Sequence, residues 1–259
     1  DLLKPDRIII GEYDGRSGDV LAKIYRVFNA PIIRTTLRTA EMIKYASNAF
    51  LATKISFTNE IGNYCKQLGI DTYAVADGMG LDKRIGRPFL NSGIGFGGSC
   101  LPKDTEALAK AGGLRLLKSV MNVNENQPLR IVELLENRIN KIKGKRIAVL
   151  GLSFKAGTDD IRSAPSIKII RDLLEKGATV VAYDPKAMNN MKRLFRNIHY
   201  ASNAIDALKN SDACLLLTEW PEFKKLSDKD FTVMKKKIII EGRKILDKRK
   251  VKHFEGVCW

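Results

Sequence analysis

Long apolar runs are missing from this 259-residue chain. No stretch approaches the roughly 20 residues that a bilayer-crossing helix needs, and the start does not follow the order of a secretory signal. A soluble, cytoplasmic protein with no membrane partner is therefore expected. Cysteine is sparse: Cys65, Cys100, Cys214 and Cys258 are scattered, and no two have CxxC spacing, which excludes a disulfide framework. With only His199 and His253 as imidazoles, no metal site is expected. Acidic residues are outnumbered, 29 against 45 Lys and Arg, for a formal net charge of +16. The first residue is Asp1, not methionine, which reads as a piece of a longer chain.

What is present is 44 % hydrophobic residues, enough to bury real cores in one large or two ordinary domains. Much of the positive excess falls late, in Lys235, Lys236, Lys237, Arg243, Lys244, Lys248, Arg249, Lys250 and Lys252. Without interleaved aromatics or a nucleic-acid motif this run reads as a solvated face, so no nucleic-acid partner is assigned. A second reading gives part of the excess to a smaller polyanion such as a diphosphate.

The opening segment reads as β-α-β: a strand at Arg7–Gly11, a helix capped by Ser17 with Val20, Leu21, Ile24, Val27 and Phe28 at helical spacing, and a strand at Pro31–Thr35. Two parallel strands and one helix make a poor domain, so this reads as the last part of an α/β domain. A proline-free helix pattern from about Thr36 to Leu68 ends at Gly69, and at 1.5 Å per residue it would extend about 50 Å. A helix of that length connects domains or pairs across a dimer interface. A shorter helix near Asp71–Leu81, a loop over Arg84–Cys100 and a helix from Pro102 follow. A second long helical pattern, Leu114–Ile142, is interrupted at Pro128. The texture then changes to alternating strands (Arg146–Leu150, Thr179–Tyr183, Ala213–Thr218, Lys237–Ile240) and helices (Ala164–Lys176, Asn203–Leu208), the pattern of a doubly wound parallel sheet.

The glycine-dense stretch Gly93-Ile-Gly-Phe-Gly-Gly-Ser-Cys-Leu-Pro-Lys-Asp104 carries the most chemical information. Its glycines permit backbone conformations closed to other residues and let main-chain N–H groups approach a ligand. Pro102 suits a first helical turn, which puts Cys100 at a helix N-terminus beside Lys103, where an anion is favoured. Cys100 is thus a candidate nucleophile; the other reading, a small buried hydrophobe, suits the remaining three cysteines. Asp104 follows one turn later. Lys44 and Asn48 are also one turn apart on the first long helix; they read either as an oxyanion-stabilising pair or as a solvent-facing one. Gly151-Leu-Ser-Phe-Lys155 follows a strand but lacks the second and third glycines of a dinucleotide fingerprint. It fits a mononucleotide half-site or an ordinary strand-end turn.

Glu41–Lys54 followed by Asn59-Glu60 resembles the central helix of the UDP-glucose/GDP-mannose dehydrogenase family. Arg84-Ile-Gly86, Phe89-Leu90 and Gly95–Asp104 resemble that family's catalytic loop, in the branch acting on UDP-glucose. The likeness extends through Gly151–Lys155, Asp159–Ser163, Tyr183–Pro185, Thr218–Trp220 and Glu241–Arg243. It implies an α/β fold with a central long-helix domain and a Rossmann-like UDP-sugar-binding domain. The limits would be 1–35 for the remnant of an NAD-binding domain, 36–142 for the helical unit and 143–259 for the sheet. The GxGxxG that opens family members does not occur in these 259 residues. The activity implied is NAD-dependent oxidation of UDP-glucose to UDP-glucuronate in two hydride transfers, the second from a thiohemiacetal on Cys100. Alternative substrates are GDP-mannose or a UDP-N-acetylhexosamine, and the chain alone is expected to bind a nucleotide sugar without robust turnover. By the same resemblance Lys44 stabilises charge on oxygen, and Asn48 and Asp104 position or activate water. Phe89, the backbone of Gly93, Gly95, Gly97 and Gly98, Phe154, Lys155 and Arg243 bind the UDP-sugar. Arg84 reaches the neighbouring subunit of a homodimer formed through the long helix, and Lys103 and Arg162 meet the NAD.

Overall fold

The computed structural model describes residues 3–259; Asp1 and Leu2, the start of the expected 1–35 unit, lie outside the described residues. The β-α-β opening is present as β1 (Ile8–Glu12), α1 (Gly15–Tyr25) and β2 (Ile32–Thr36), with the strands parallel and Ile8 opposite Ile32. Ser17 is not the cap of α1. Asp14 takes that role and accepts from Ser17 N–H at 2.7 Å, while the Ser17 hydroxyl accepts from Asp14 N–H, a reciprocal box that the longer Asp side chain makes possible. The apolar face of α1 is uncovered, with Val20 and Ile24 exposed, as is Val27 in the 3-10 turn Arg26–Phe28 that ends the helix.

The long helix is α2 (Leu37–Gln67), 31 residues and therefore about 46 Å. Thr36 caps its start, accepting from Thr39 N–H. At the other end Gly69 takes φ +69 while Ile70 N–H reaches Cys65 O and Gly69 N–H reaches Lys66 O, a Schellman ending. The buried stripe Ala49, Ala52, Ser56 and Asn59 recurs every three to four residues and faces α4 (Leu101–Ala111) and α5 (Arg115–Asn126). Small residues along it let the helices approach closely. Between α2 and α4 lies α3 (Thr72–Gly80), capped by Asp71, and after α5 comes α6 (Leu129–Ile139), separated from it at Pro128 as expected.

The rest of the chain forms a six-stranded sheet in the order β5-β4-β3-β6-β7-β8, parallel throughout. Its elements are β3 (Arg146–Leu150), α7 (Pro165–Glu175), β4 (Thr179–Tyr183), α8 (Met188–Leu194), β5 (His199–Tyr200), α9 (Ala204–Leu208), β6 (Ala213–Leu216), β7 (Ile239–Glu241) and β8 (Glu255–Gly256). Apolar layers cover both faces, which is why β3 and β6 are buried along most of their length and show no polar alternation. Two expected strands shift. Ala213–Thr218 stops at Leu216, and Lys237–Ile240 begins only at Ile239, because Lys235 and Lys236 turn to donate their N–H groups to Ser211 O. In the late lysine run, Lys237 pairs with Asp228, Lys244 with Asp71 and Arg249 with Asp247; Lys235, Lys236 and Lys250 are exposed. No helix among the described residues is long and apolar enough to cross a membrane.

The strand order reverses between β3 and β6, so their carboxyl ends open a crevice of the kind that receives nucleotides in open α/β sheets. Asp184, after β4, ties its walls together. This fully buried carboxylate accepts from Leu152 N–H at 2.7 Å, Ser153 N–H at 3.1 Å and the Trp220 indole at 3.0 Å, and from Lys186 and Ala187 N–H. With that many donors a buried carboxylate needs no cation.

Candidate active site

The helical layer brings the sequence-selected polar residues together around one carboxylate. Lys44 Nζ and Asn48 Nδ2, one turn apart on α2, both donate to Asp104 Oδ2 at 2.7 Å, and Lys103 donates to Oδ1. Asp104 is fully buried, yet Lys44 and Lys103 keep more than half of their side-chain surface in solvent. Burial alone would push the Asp104 carboxyl up. The hydrogen bonds from Lys103, Lys44 and Asn48 outweigh it and hold the group down at about 2. Asp104 therefore stays ionised at physiological pH and acts as an acceptor that orients two ammonium groups.

Cys100 is the N-cap residue of α4, with Asp104 N–H donating back to Cys100 O at 3.0 Å, so the two are one turn apart as the spacing predicts. The thiol is exposed, unlike Cys65, Cys214 and Cys258, which are buried. Lys103, in the first turn of the helix that Cys100 caps, is held protonated by its bond to Asp104, and Arg162 by its pairing with Asp160. Lys103 and Arg162 line one cavity of about 570 Å³ with Gly98 and Ser99. Lys44 and Asn48 border a second, of about 550 Å³, that reaches Arg7 and Ile9 at β1.

The glycine loop is the seam between the helical layer and the sheet. A Cβ on Gly97 would collide with the Ser163 carbonyl, and Gly98 adopts φ +86 with its Cα against the Phe154 ring, where a Cβ would lie 2.9 Å from Cε2. Much of the glycine content thus serves close docking of the two layers, in addition to the ligand approach expected from the sequence. Gly98 N–H donates to Arg162 O at 2.8 Å, and Arg243 Nη2 donates to Gly95 O at 2.7 Å, with Glu219 3.7 Å from Arg243 Nε. Three loop N–H groups, of Gly93, Phe96 and Gly98, are thereby used within the protein. Among the described residues no protein acceptor meets the N–H of Ile94, Gly95, Gly97 or Ser99.

Phe154, Lys155 and Arg243 gather at this seam, Lys155 Nζ lying 5.5 Å over the Phe154 ring. Arg84 is not drawn into it. Its guanidinium is paired with Asp82 and fully in solvent, on a turn that Lys54 of α2 holds by donating to Ile85 O and Gly86 O. Phe89, at φ +66 and partly exposed, lies on the same loop. Several residues of the site escaped a functional reading from sequence. Lys54, Asp184 and Glu241 sit inside recognisable motifs but carry no spacing signal. Asn59 sits in the quoted Asn59-Glu60 pair, and Asn124 and Gln127 fall within the Leu114–Ile142 helical pattern; none carries a signal of its own. Glu241 is buried, accepting from Ile245 and Leu246 N–H and from the Trp259 indole; burial pushes its carboxyl up to about 7 despite those donors.

An exposed cysteine at a helix N-terminus, a buried carboxylate gripping two lysines, and a parallel sheet docked with its switch-point crevice against the same loop define an α/β protein of the doubly wound, nucleotide-crevice class. Comparison with known proteins narrows the class. Residues 38–126 match the UDP-glucose/GDP-mannose dehydrogenase family, central domain, and residues 148–248 match the UDP binding domain of the same family. UDP-glucose 6-dehydrogenase AglM of Haloferax volcanii is 47% identical over 99% of this chain and 62% of its own length. The structure of a UDP-glucose dehydrogenase from Pyrobaculum islandicum superimposes with a TM-score of 0.93 at 42% identity, over 100% of this chain and 60% of that one. That of UDP-D-ManNAc dehydrogenase from Pyrococcus horikoshii gives 0.86 at 31%, over 98% and 60%. The chain belongs to the UDP-glucose/GDP-mannose dehydrogenase family and spans about 60% of the length of these relatives.

Proposed function

We propose that this chain carries the catalytic cysteine and the sugar-nucleotide site of an NAD-dependent UDP-glucose 6-dehydrogenase, which oxidises UDP-glucose to UDP-glucuronate. The observation that carries the reading is that one segment, Gly93–Asp104, carries exposed Cys100 and the Asp104 carboxylate that Lys44 and Asn48 grip, while its glycines pack against Phe154 and Arg243 of the sheet layer. The proposed division is 1–35, 36–142 and 143–259.

Converting a primary alcohol to a carboxylate removes two hydrides and adds one oxygen from water. NAD, when bound, supplies the acceptor for those hydrides. Lys103 and Arg162, facing one cavity beside Gly98 and Ser99, suit its diphosphate. The β1–α1 turn does not suit it, because the Asp14 carboxylate already caps α1. Cys100 adds as thiolate to the aldehyde carbon; a C–S bond forms and the oxygen gains a proton, giving a thiohemiacetal that still holds one hydride. Once that hydride and the hydroxyl proton have left, the carbon is a thioester. Water attacks it and gives up both of its protons, the C–S bond breaks, the electron pair returns to sulfur as thiolate, and the carboxylate is released. Through both additions the Lys44 ammonium, held by Asp104, faces the oxygen on which negative charge develops. Asn48, sharing the same carboxylate oxygen, positions the attacking water.

On these 259 residues alone we propose sugar-nucleotide binding without robust NADH formation. The assembly we propose is a homodimer through α2. Phe50, Phe57 and Tyr64 recur at seven-residue spacing on the face of α2 turned away from α4 and α5, and all three are exposed. Thermal unfolding with added nucleotides tests the substrate. UDP-glucose and UDP should raise the midpoint by several degrees; a larger shift with GDP-mannose would overturn the assignment.

A further inference from the structure

The Gly93–Cys100 loop belongs to no helix or strand, and three side-chain amides take the place of a backbone partner. Asn59 of α2, fully buried, accepts from Gly93 N–H at 2.7 Å. Gln127, buried at the turn between α5 and α6, donates from Nε2 to Gly93 O at 2.7 Å. Asn124 of α5 closes a two-point bracket on Phe96: Oδ1 accepts from its N–H at 2.8 Å and Nδ2 donates to its carbonyl at 3.0 Å. Gln127 also exchanges hydrogen bonds with Asn63, at 2.8 and 3.2 Å, so the Gly93 anchor is tied to α2 twice.

A carboxamide offers a donor and an acceptor in a single plane, as a peptide does. Burying one beside the Ala52, Phe96 and Val120 contact costs free energy unless both ends are paired. Asn124 and Gln127 pair both ends; Asn59 pairs only its oxygen, to the loop, and its buried Nδ2 has no partner among the described residues. Two peptides, at Gly93 and Phe96, are gripped; among the described residues the N–H groups of Ile94, Gly95, Gly97 and Ser99, between and beyond them, meet no protein acceptor.

We propose that Asn59, Asn124 and Gln127 are positioning residues: they hold the Gly93 and Phe96 peptides so that the free loop N–H groups face the sugar nucleotide and Cys100 stands at the end of that row. This rests on the loop being the sugar-nucleotide site. Arranging these groups before binding lowers the ordering cost that the ligand otherwise bears.

The test compares the native chain with Asn124→Ala and the near-isosteric Gln127→Met. Val251→Ala, in the far sheet layer, is the control for a general loss of stability. Each is titrated with UDP-glucose by calorimetry, and Cys100 is carboxamidomethylated with iodoacetamide and followed by peptide mass spectrometry. Both loop variants should bind UDP-glucose at least fivefold more weakly and change the Cys100 alkylation rate at least threefold. Val251→Ala should stay within twofold of native on both readouts. Loop variants within twofold of native on both, or a control that moves as much as they do, overturn the proposal. If Asn124→Ala fails to fold, Gln127→Met decides alone. A native chain that does not bind UDP-glucose refutes the function proposed above, and the alkylation rates then still decide the positioning role.

Discussion

Replacing Asp104 by Asn removes one charge from a cluster that has two cations, and the cost follows from the carboxyl's titration. The folded carboxyl sits at about 2 against an ordinary 3.8, a difference of about 1.8 pH units. At about 1.4 kcal/mol per unit this corresponds to about 2.5 kcal/mol of stability at neutral pH. Lys44 and Lys103 are more than half solvent-exposed, which screens them and lowers the expectation to about 1–2 kcal/mol. The sign is fixed by the direction of the shift. The folded carboxyl is depressed, so its contribution is fully present above about pH 4 to 5 and is lost as pH falls through 3.8 towards 2. Urea unfolding of the native chain and Asp104→Asn should therefore differ by about 1–2 kcal/mol at pH 7, and the difference should shrink steadily below pH 4. A difference within 0.5 kcal/mol of zero at pH 7, or one that does not change with pH, would refute the view of Asp104 as the ionised anchor of Lys44.

Glu241 has the opposite sign. Its carboxyl is raised by burial to about 7, so the folded state binds the proton more tightly and stability falls as pH rises from about 4.5 to 7; in Glu241→Gln that decline should be absent from urea midpoints. Gly97→Ala should loosen the seam between the layers, because the added methyl meets the Ser163 carbonyl; a loss of about 1–3 kcal/mol in thermal unfolding is expected. Phe57→Glu, on the exposed α2 face, should convert a dimer to monomer in sedimentation velocity while leaving the circular dichroism spectrum unchanged.

Much of this arrangement was legible because local chemistry and global fold agree. Thr36 and Gly69 mark the ends of α2 by side-chain capping and by a left-handed turn, and both are where the pattern places them. β3 and β4 are found at the expected residues because buried parallel strands show as continuous apolar runs. Missed were α8, seven residues long with no capping side chain, and β5 and β8, two residues each at the sheet edges and too short for any periodicity to register. At the site, the i, i+4 spacings of Lys44–Asn48 and Cys100–Asp104 carry real geometry, since helical backbone fixes which side chains share a face. What spacing does not carry is a partner across 28 to 60 residues. Lys44 and Asn48 meeting Asp104, or Asn124 meeting Phe96, depend on how α2, α4 and α5 pack. An amide on a helix looks the same whether it faces water or a peptide.

The most direct test of the account is whether a sugar nucleotide lies against Cys100. Carboxamidomethylation of Cys100 by iodoacetamide, read as the modified peptide over time, should slow at least tenfold in saturating UDP-glucose. Free glucose should give no protection, and Lys44→Ala should weaken it. An alkylation rate unchanged by UDP-glucose, at concentrations where calorimetry shows the ligand bound, would contradict the placement of the reacting sugar at this cysteine.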